Sequence, residues 1–343
     1  MQQATNIGQK LGFFDGKSPI ARKTTEEMTE DDRMCCHAAW SSFNWRMVVS
    51  LFYRQPEVVA IDQTPTLPIL DRWSSGRTRQ SPLSATDDNT PLDISTSVGV
   101  AFTALCQLWS MLHEFLWVYY PSRMDATPRD QKWKLTEHKF REILAWTSRL
   151  PDVLALVDSR PSHVHVLHIW IHAALMDLLR PFIGQEDRAG KRLTTFAAED
   201  NHAIYAYKAS ANQLKRLIME YRGRHEASTY SILWHTGLLY LVNAMLEKPR
   251  DPDWHLYFLL CIHDYEILRR PYPISEAISK SLLEITLRKT GMPAEKARRI
   301  LQCIERSGLE RVDDKIRAPF VGDLEMALKD ADGSSVENYG ELF

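Results

Sequence analysis

The 343-residue sequence predicts an all-α protein, a large single helical domain with one long irregular loop. Three observations carry that prediction. Apolar residues recur at three- and four-residue spacing along the long segments, which gathers them on one face of a helix. Two tracts, 143–183 and 228–246, are apolar helical text studded with Trp and His. No alternation of apolar and polar residues is long enough to build a sheet, and no fixed-period repeat of solenoid length is present.

The elements follow in order. Residues 29–53 predict a helix, with acidic residues near its start and Trp40, Phe43, Met47 and Leu51 at helical spacing. Gln55 and Pro56 end it. From there to about Ser95, Pro56, Pro65, Pro68, Pro82 and Pro91 lie among Ser, Thr and Asp, so neither a helix nor a regular sheet can continue. A helix resumes at 98–120, with Phe102, Leu105, Trp109, Leu112 and Leu116 as its stripe, and another follows at 129–147. The segment 161–182 is apolar almost all round, the mark of a central, buried helix. Further helices are expected at 196–221, 228–247 and 254–270, the last ending in Arg269 and Arg270 at the negative end of its dipole. Ser275 reads as the N-cap of the next, with Gly291 as its stop and Pro293 opening a final one near 293–307. On that Ser275 helix Ala277, Ile278, Leu282 and Ile285 should face inward, and Lys280, Glu284 and Arg288 should face water. By composition the chain divides into blocks 1–55, 56–95, 96–309 and an acidic tail, 310–343, that includes a short helix.

Composition excludes several function classes. Lys+Arg and Asp+Glu stand at 42 against 44, so no bulk positive charge is available to neutralise nucleic-acid phosphates. The five cysteines, Cys35, Cys36, Cys106, Cys261 and Cys303, form no CxxC pair, and their odd number argues for a reducing compartment. The first residues carry no signal-peptide pattern, and no uninterrupted apolar stretch reaches the roughly 18 residues a bilayer span needs, so no membrane partner is expected. There is no GxxxxGK, GxGxxG or G-x-S-x-G, so nucleotide and nucleophile chemistry lack their usual text.

The sharpest enzyme-like feature is His163, His165, His168 and His172. Steps of three and four place His165, His168 and His172 in one narrow arc of a helix, where imidazoles could hold zinc. The HxxxH of His168 and His172 lacks the Glu that serves as general base in zincins, and Asp177 projects from another side, so the sequence reading is polar helix-contact residues and no catalytic or metal site. Cys35, Cys36 and His37 are adjacent on a helix and point apart. His235 after Trp234, and His263 beside Asp264, are candidates for acid/base work without a nucleophile to serve. The tail mixes acids with Phe320, Leu324, Tyr339 and Phe343, which fits an ordinary amphipathic helix or an activation segment.

The tracts REILAWTSRLPDVL, HVHVLHIWIHAALMDLLRPFI, YSILWHTGLLYLVNAML and WHLYFLLCIHDYEILRRPYPISEAISKSLLEITLRKTGMPAEKARRIL, in that order, resemble the C-terminal half of fungal binuclear zinc-cluster transcription factors. AAWSSFNWRMVVSLFYRQPEVV and IGQKLGFF are similar to the end of the same family's middle homology region. The resemblance implies an all-helical, non-enzymatic regulatory domain in the nucleus, acting on RNA polymerase II transcription through effectors, coregulator proteins or the transcriptional machinery, with a possible homo- or hetero-oligomer. In the family, DNA is read by a separate six-cysteine module that binds two zinc ions. No C-x2-C-x6-C run occurs here, so no zinc ligand, and no cofactor, is carried over to any residue of this chain. The expectation is therefore either part of a longer factor or a protein that acts by sequestering full-length relatives, with an apolar face that favours association. The alternative from another class is a helical metal-dependent enzyme built on His165, His168 and His172.

Overall fold

A computed structural model describes residues 2–53, 63–70, 94–119, 128–157, 160–183, 191–194, 201–247, 251–305, 322–324, 326 and 336. Among these, regular structure is helical throughout: ten α-helices, short 3-10 turns and one π-turn, beside a single isolated β-bridge between Arg192 and His202. The all-α class expected from periodicity is the class observed. Most of the 56–95 loop and of the 310–343 tail, including most of its expected helix, lies outside the described residues. The chain forms two compact units, one from residues 1–50 and 58–167, the other from 51–57 and 168–343.

In the first unit, α1 (Gln2–Lys10) packs against α2 (Glu30–Val48). Helix α2 starts where it does because Thr29 and Asp32 form a capping box: the Thr29 hydroxyl accepts the Asp32 N–H at 3.2 Å, and the Asp32 carboxylate accepts the Thr29 N–H at 2.9 Å. Lys23 Nζ adds an ion pair to Asp32 at 2.7 Å. Trp40, Phe43 and Met47 are buried as their spacing requires. Trp40 Nε1 donates to the Leu67 carbonyl at 2.9 Å, and Thr66 N–H to the Phe13 carbonyl at 2.9 Å, so polar contacts from both sides tie down 63–70. Gly12 turns the chain after α1 with φ of 72°, a left-handed conformation that a side chain there would strain. Helices α3 (Ile94–Tyr119) and α4 (Arg129–Thr147) pack together, Lys139 bridging Glu114 and Glu142 at 3.1 and 2.9 Å. Of the expected α3 stripe, Trp109, Leu112 and Leu116 are buried, while Phe102 and Leu105 are half-buried.

The second unit is organised on α7 (His235–Leu246), every residue of which is buried. It packs against α6 (Ala203–Arg224), α8 (Trp254–Leu268) and α9 (Ile274–Thr290). A Cβ on Gly237 would lie 2.7 Å from Ile218 Cδ1 and 2.8 Å from Ile169 Cγ2, so glycine lets α7 approach α6 and the helix α5 (Ser162–Leu179) this closely. Asn243 holds the chain's later residues, donating to the Gly322 carbonyl at 3.1 Å and accepting from Leu324 N–H at 3.0 Å. Helix α10 (Ala294–Glu305) follows the left-handed Gly291, whose φ of 68° makes it the stop its sequence position announces.

Three local expectations are corrected. The α-helix expected over 228–247 begins only at His235, because two 3-10 turns at 226–229 and 232–234 precede it. Helix α9 begins at Ile274 with Pro273 in the capping position, so Ser275 is inside the first turn and its hydroxyl is buried without a hydrogen bond. Proline's fixed φ starts the helix, and no side-chain cap is made. Glu284, expected to face water, is 1% exposed and paired with Arg288 one turn on.

Candidate functional site

Helix α5 carries the histidines singled out by sequence. His165 is 2% exposed and fully part of the packing, while His168 and His172 are half-buried. The three do not converge: among the described residues no three His, Cys, Asp or Glu side chains gather closely enough to hold a metal ion. The geometry explains this, since seven residues of helix separate the ends of the row by about 10 Å, while ligands sit about 2 Å from a shared zinc. His172 Nδ1 is buried without a hydrogen-bond partner. Burial, with His168 and Arg216 nearby, pushes its pKa down to about 4. It is a neutral imidazole at physiological pH.

His163, at the start of α5, makes a contact that sequence reasoning missed: its Nε2 lies 2.9 Å from Ser97 Oγ. A Ser–His pair can activate a nucleophile. Ser97, however, is 1% exposed, which gives a substrate no approach to the hydroxyl. The pair is a packing hydrogen bond between α3 and α5.

His235 and His263 occupy opposite environments. His263 is 60% exposed at its side chain, 3.2 Å from Arg222 Nη2, and 3.6 Å from Asp264. Asp264 itself is buried and accepts from Arg222 Nε at 2.7 Å, and burial pushes its pKa up. The close partner of Asp264 is the half-buried Arg222, so the His–Asp proximity serves an ion pair on α6 and α8. His235 is fully enclosed. Its ring stacks on Tyr53 at 5.2 Å and 21°, and Nδ1 lies 3.0 Å from Tyr265 Oη. Tyr265 O–H in turn donates to the His235 carbonyl at 3.2 Å. Both bonds are satisfied together when the imidazole is neutral and Nδ1–H donates to Tyr265. Tyr53 reaches this cluster from the π-turn Val49–Tyr53 and lies 2.9 Å, hydroxyl to hydroxyl, from Thr236. Burial lowers the pKa of His235 to about 4.

The second enclosed polar cluster centres on Arg180. Pro181 ends the apolar run of α5 in a 3-10 turn, and Arg180 at that turn points into the unit with its side chain 1% exposed. Its Nη1 donates to Glu247 Oε1 at 3.2 Å, and its Nε lies 3.9 Å from Asp177 Oδ1, itself a buried carboxylate. The rings of Tyr207 and Tyr240 lie 5.5 and 5.6 Å from the guanidinium carbon. Burial opposes the charge, but Tyr207, Glu247 and Asp177 together hold the pKa above the ordinary arginine range, so the cation persists. Near 4 Å and at an effective dielectric of about 20, each such charge pair is worth about 4 kcal/mol in gross Coulomb energy, before desolvation is counted. Nε and Nη2, the edge of the guanidinium that matches a carboxylate or phosphate in a two-bond fork, have no hydrogen-bond partner among the described residues. The Tyr207 hydroxyl is directed at the same guanidinium without completing a well-formed hydrogen bond. Arg180 does not stand out in the sequence; the one signal available was a lone basic residue at the end of an apolar tract, immediately before proline.

The fold and these clusters define an all-α protein with two enclosed polar groups of side chains in its second unit. Comparison with protein families, curated proteins and solved structures found no match to this chain. Among the described residues no helix is long and apolar enough to cross a membrane.

Proposed function

We propose that this chain is a regulatory region of the fungal zinc-cluster transcription factor type, acting in the nucleus on RNA polymerase II transcription through effector or coregulator contacts. The observation that carries the reading is the order of its Trp- and His-bearing helical tracts, 143–183, then 228–246, then 254–301. The all-α body agrees with the all-helical domain that the resemblance implies. No catalytic role is assigned to His165, His168 or His172. DNA recognition and zinc binding belong, in this reading, to a separate module, and none of this chain's cysteines is assigned to zinc.

The test is a tethering experiment in a fungal host. The chain is fused to an unrelated sequence-specific DNA-binding module and placed at a reporter promoter, with nuclear accumulation checked by imaging. A several-fold change in reporter transcription, in either direction, is the expected result. A stable, nuclear, promoter-bound fusion that leaves transcription unchanged across growth conditions would count against the reading.

A further inference from the structure

We infer that the outward stripe of α2, formed by Met34, Ala38, Ser41 and Trp45, is the self-contact surface of a two-fold dimer in which two copies of this helix lie antiparallel. Helix α2 buries Cys36, Ala39, Trp40, Phe43 and Met47 in the first unit. Past its acidic first turn, its exposed residues are Met34, Ala38, Ser41 and Trp45. Steps of four, three and four keep them in one narrow stripe about 16 Å long. Its two ends are large and apolar, Met34 at 51% exposure and Trp45 at 41%. The solvent face of a helix is ordinarily charged or polar, yet no Asp, Glu, Lys or Arg occurs from Met34 to Trp45. The one imidazole in that run, His37, is half-buried, and burial lowers its pKa.

The order of sizes selects a second copy as the occupant. Read in either direction, the stripe runs large, small, small, large. Laid antiparallel on itself about a two-fold axis between Ala38 and Ser41, each Met34 meets the second copy's Trp45 and each Ala38 its Ser41. Small side chains at the centre let the helix axes approach to about 8 Å, and a thioether against an indole closes each end. A parallel pair would instead oppose two indoles at one end and prop the helices apart over the small residues. Charge agrees with self-pairing. An isologous contact brings each group near its own kind, so a charged face repels itself, whereas the uncharged run of α2 does not. Glu30 and Asp31, in the first turn, fall at opposite ends of the pair, about 27 Å from their counterparts along the axis and beyond the screening length. Four exposed side chains fall short of the ~800 Å² per partner of a standard stable interface, so the dimer is weak, with a dissociation constant on the order of 100 µM.

Dimerisation through α2 is independent of the regulatory role proposed above. Sedimentation equilibrium of the purified chain, from the low micromolar range to several hundred micromolar, should show a reversible monomer–dimer equilibrium. Ala38→Glu and Ser41→Lys each alter an exposed position outside the core, so helix content and melting temperature should stay at their wild-type values. Each substitution alone should raise the dissociation constant about tenfold or more, because the two-fold axis brings two like charges together. An equimolar mixture of the two variants should associate again, since position 38 of one chain faces position 41 of the other and the new charges are opposite. A chain that stays monomeric over the whole range would overturn the inference. So would self-association that neither substitution weakens, which would put the contact on another face. A mixture that associates no better than the separate variants would refute the antiparallel pairing.

Discussion

His235 makes the fold acid-sensitive in a way that can be measured residue by residue. Its imidazole is 4% exposed, packed against Tyr53 and Tyr265, and its pKa in the folded state is lowered to about 4 by burial. In the unfolded chain it returns to about 6.5. A basic group whose folded pKa is depressed contributes no pH-dependence above its unfolded value, because both states are then neutral. As pH falls below about 6.5 the unfolded state takes up the proton and the folded state does not, so stability is lost until the folded pKa near 4 is reached. At about 1.4 kcal/mol for each tenfold difference in proton affinity between the two states, the full loss is roughly 3 kcal/mol, of which about 2 kcal/mol falls between pH 7 and pH 5. The assay is urea unfolding at half-unit pH steps, for the wild type and for His235→Gln. The variant will be less stable at pH 7, since Tyr265 loses the imidazole and keeps the residue 235 carbonyl, but its curve should be flatter over this window by about 2 kcal/mol. Parallel pH profiles for the two proteins would refute the assignment of that loss to His235.

Gly237→Ala should destabilise the second unit by about 1–3 kcal/mol, as overpacking does, because the new methyl group meets Ile218 and Ile169 at under 3 Å; denaturant unfolding that matched wild type would show that the α5–α6–α7 contact is loose. Thr29→Ala removes one half of the α2 capping box and should cost about 1 kcal/mol, read as a lower urea midpoint with an unchanged slope. Equilibrium dialysis against zinc should find His165→Ala indistinguishable from wild type, since His165 and His172 stand about 10 Å apart along their helix. Loss of a stoichiometric zinc ion in that variant would restore the metal-site reading of α5.

The helical elements were legible because their cause is local. The stripes of α2 and α3 repeat within one or two turns, and the limits 129–147 for α4 and Gly291 for the end of α9 coincide with the observed ones. Helix α1 was not recognised as an element: nine residues containing five Gln, Asn and Lys side chains present too short an apolar face to register. The start of α7 was misplaced because 3-10 turns and an α-helix share nearly the same apolar spacing over a few residues. Glu284 was misplaced for a different reason. A helical wheel assigns charged residues to water when one face of the helix is free, whereas most of the middle of α9, from Ser281 to Thr286, is buried on all sides.

The polar clusters were illegible because their cause is not local. Arg180 is satisfied in part by Glu247, 67 residues away, and the His235 cluster joins Tyr265 and a Tyr53–Thr236 contact spanning 183 residues. Periodicity shows that Arg180 and His235 lie in apolar text; only the fold shows what they face. Such groups are poor sources of net stability, because desolvation offsets much of the gain from pairing. Removing one partner is costly all the same, since the other is left buried and uncompensated. Asp177 and Glu247 therefore need Arg180 more than the fold needs the three together, and an apolar replacement of the whole set could be neutral or stabilising.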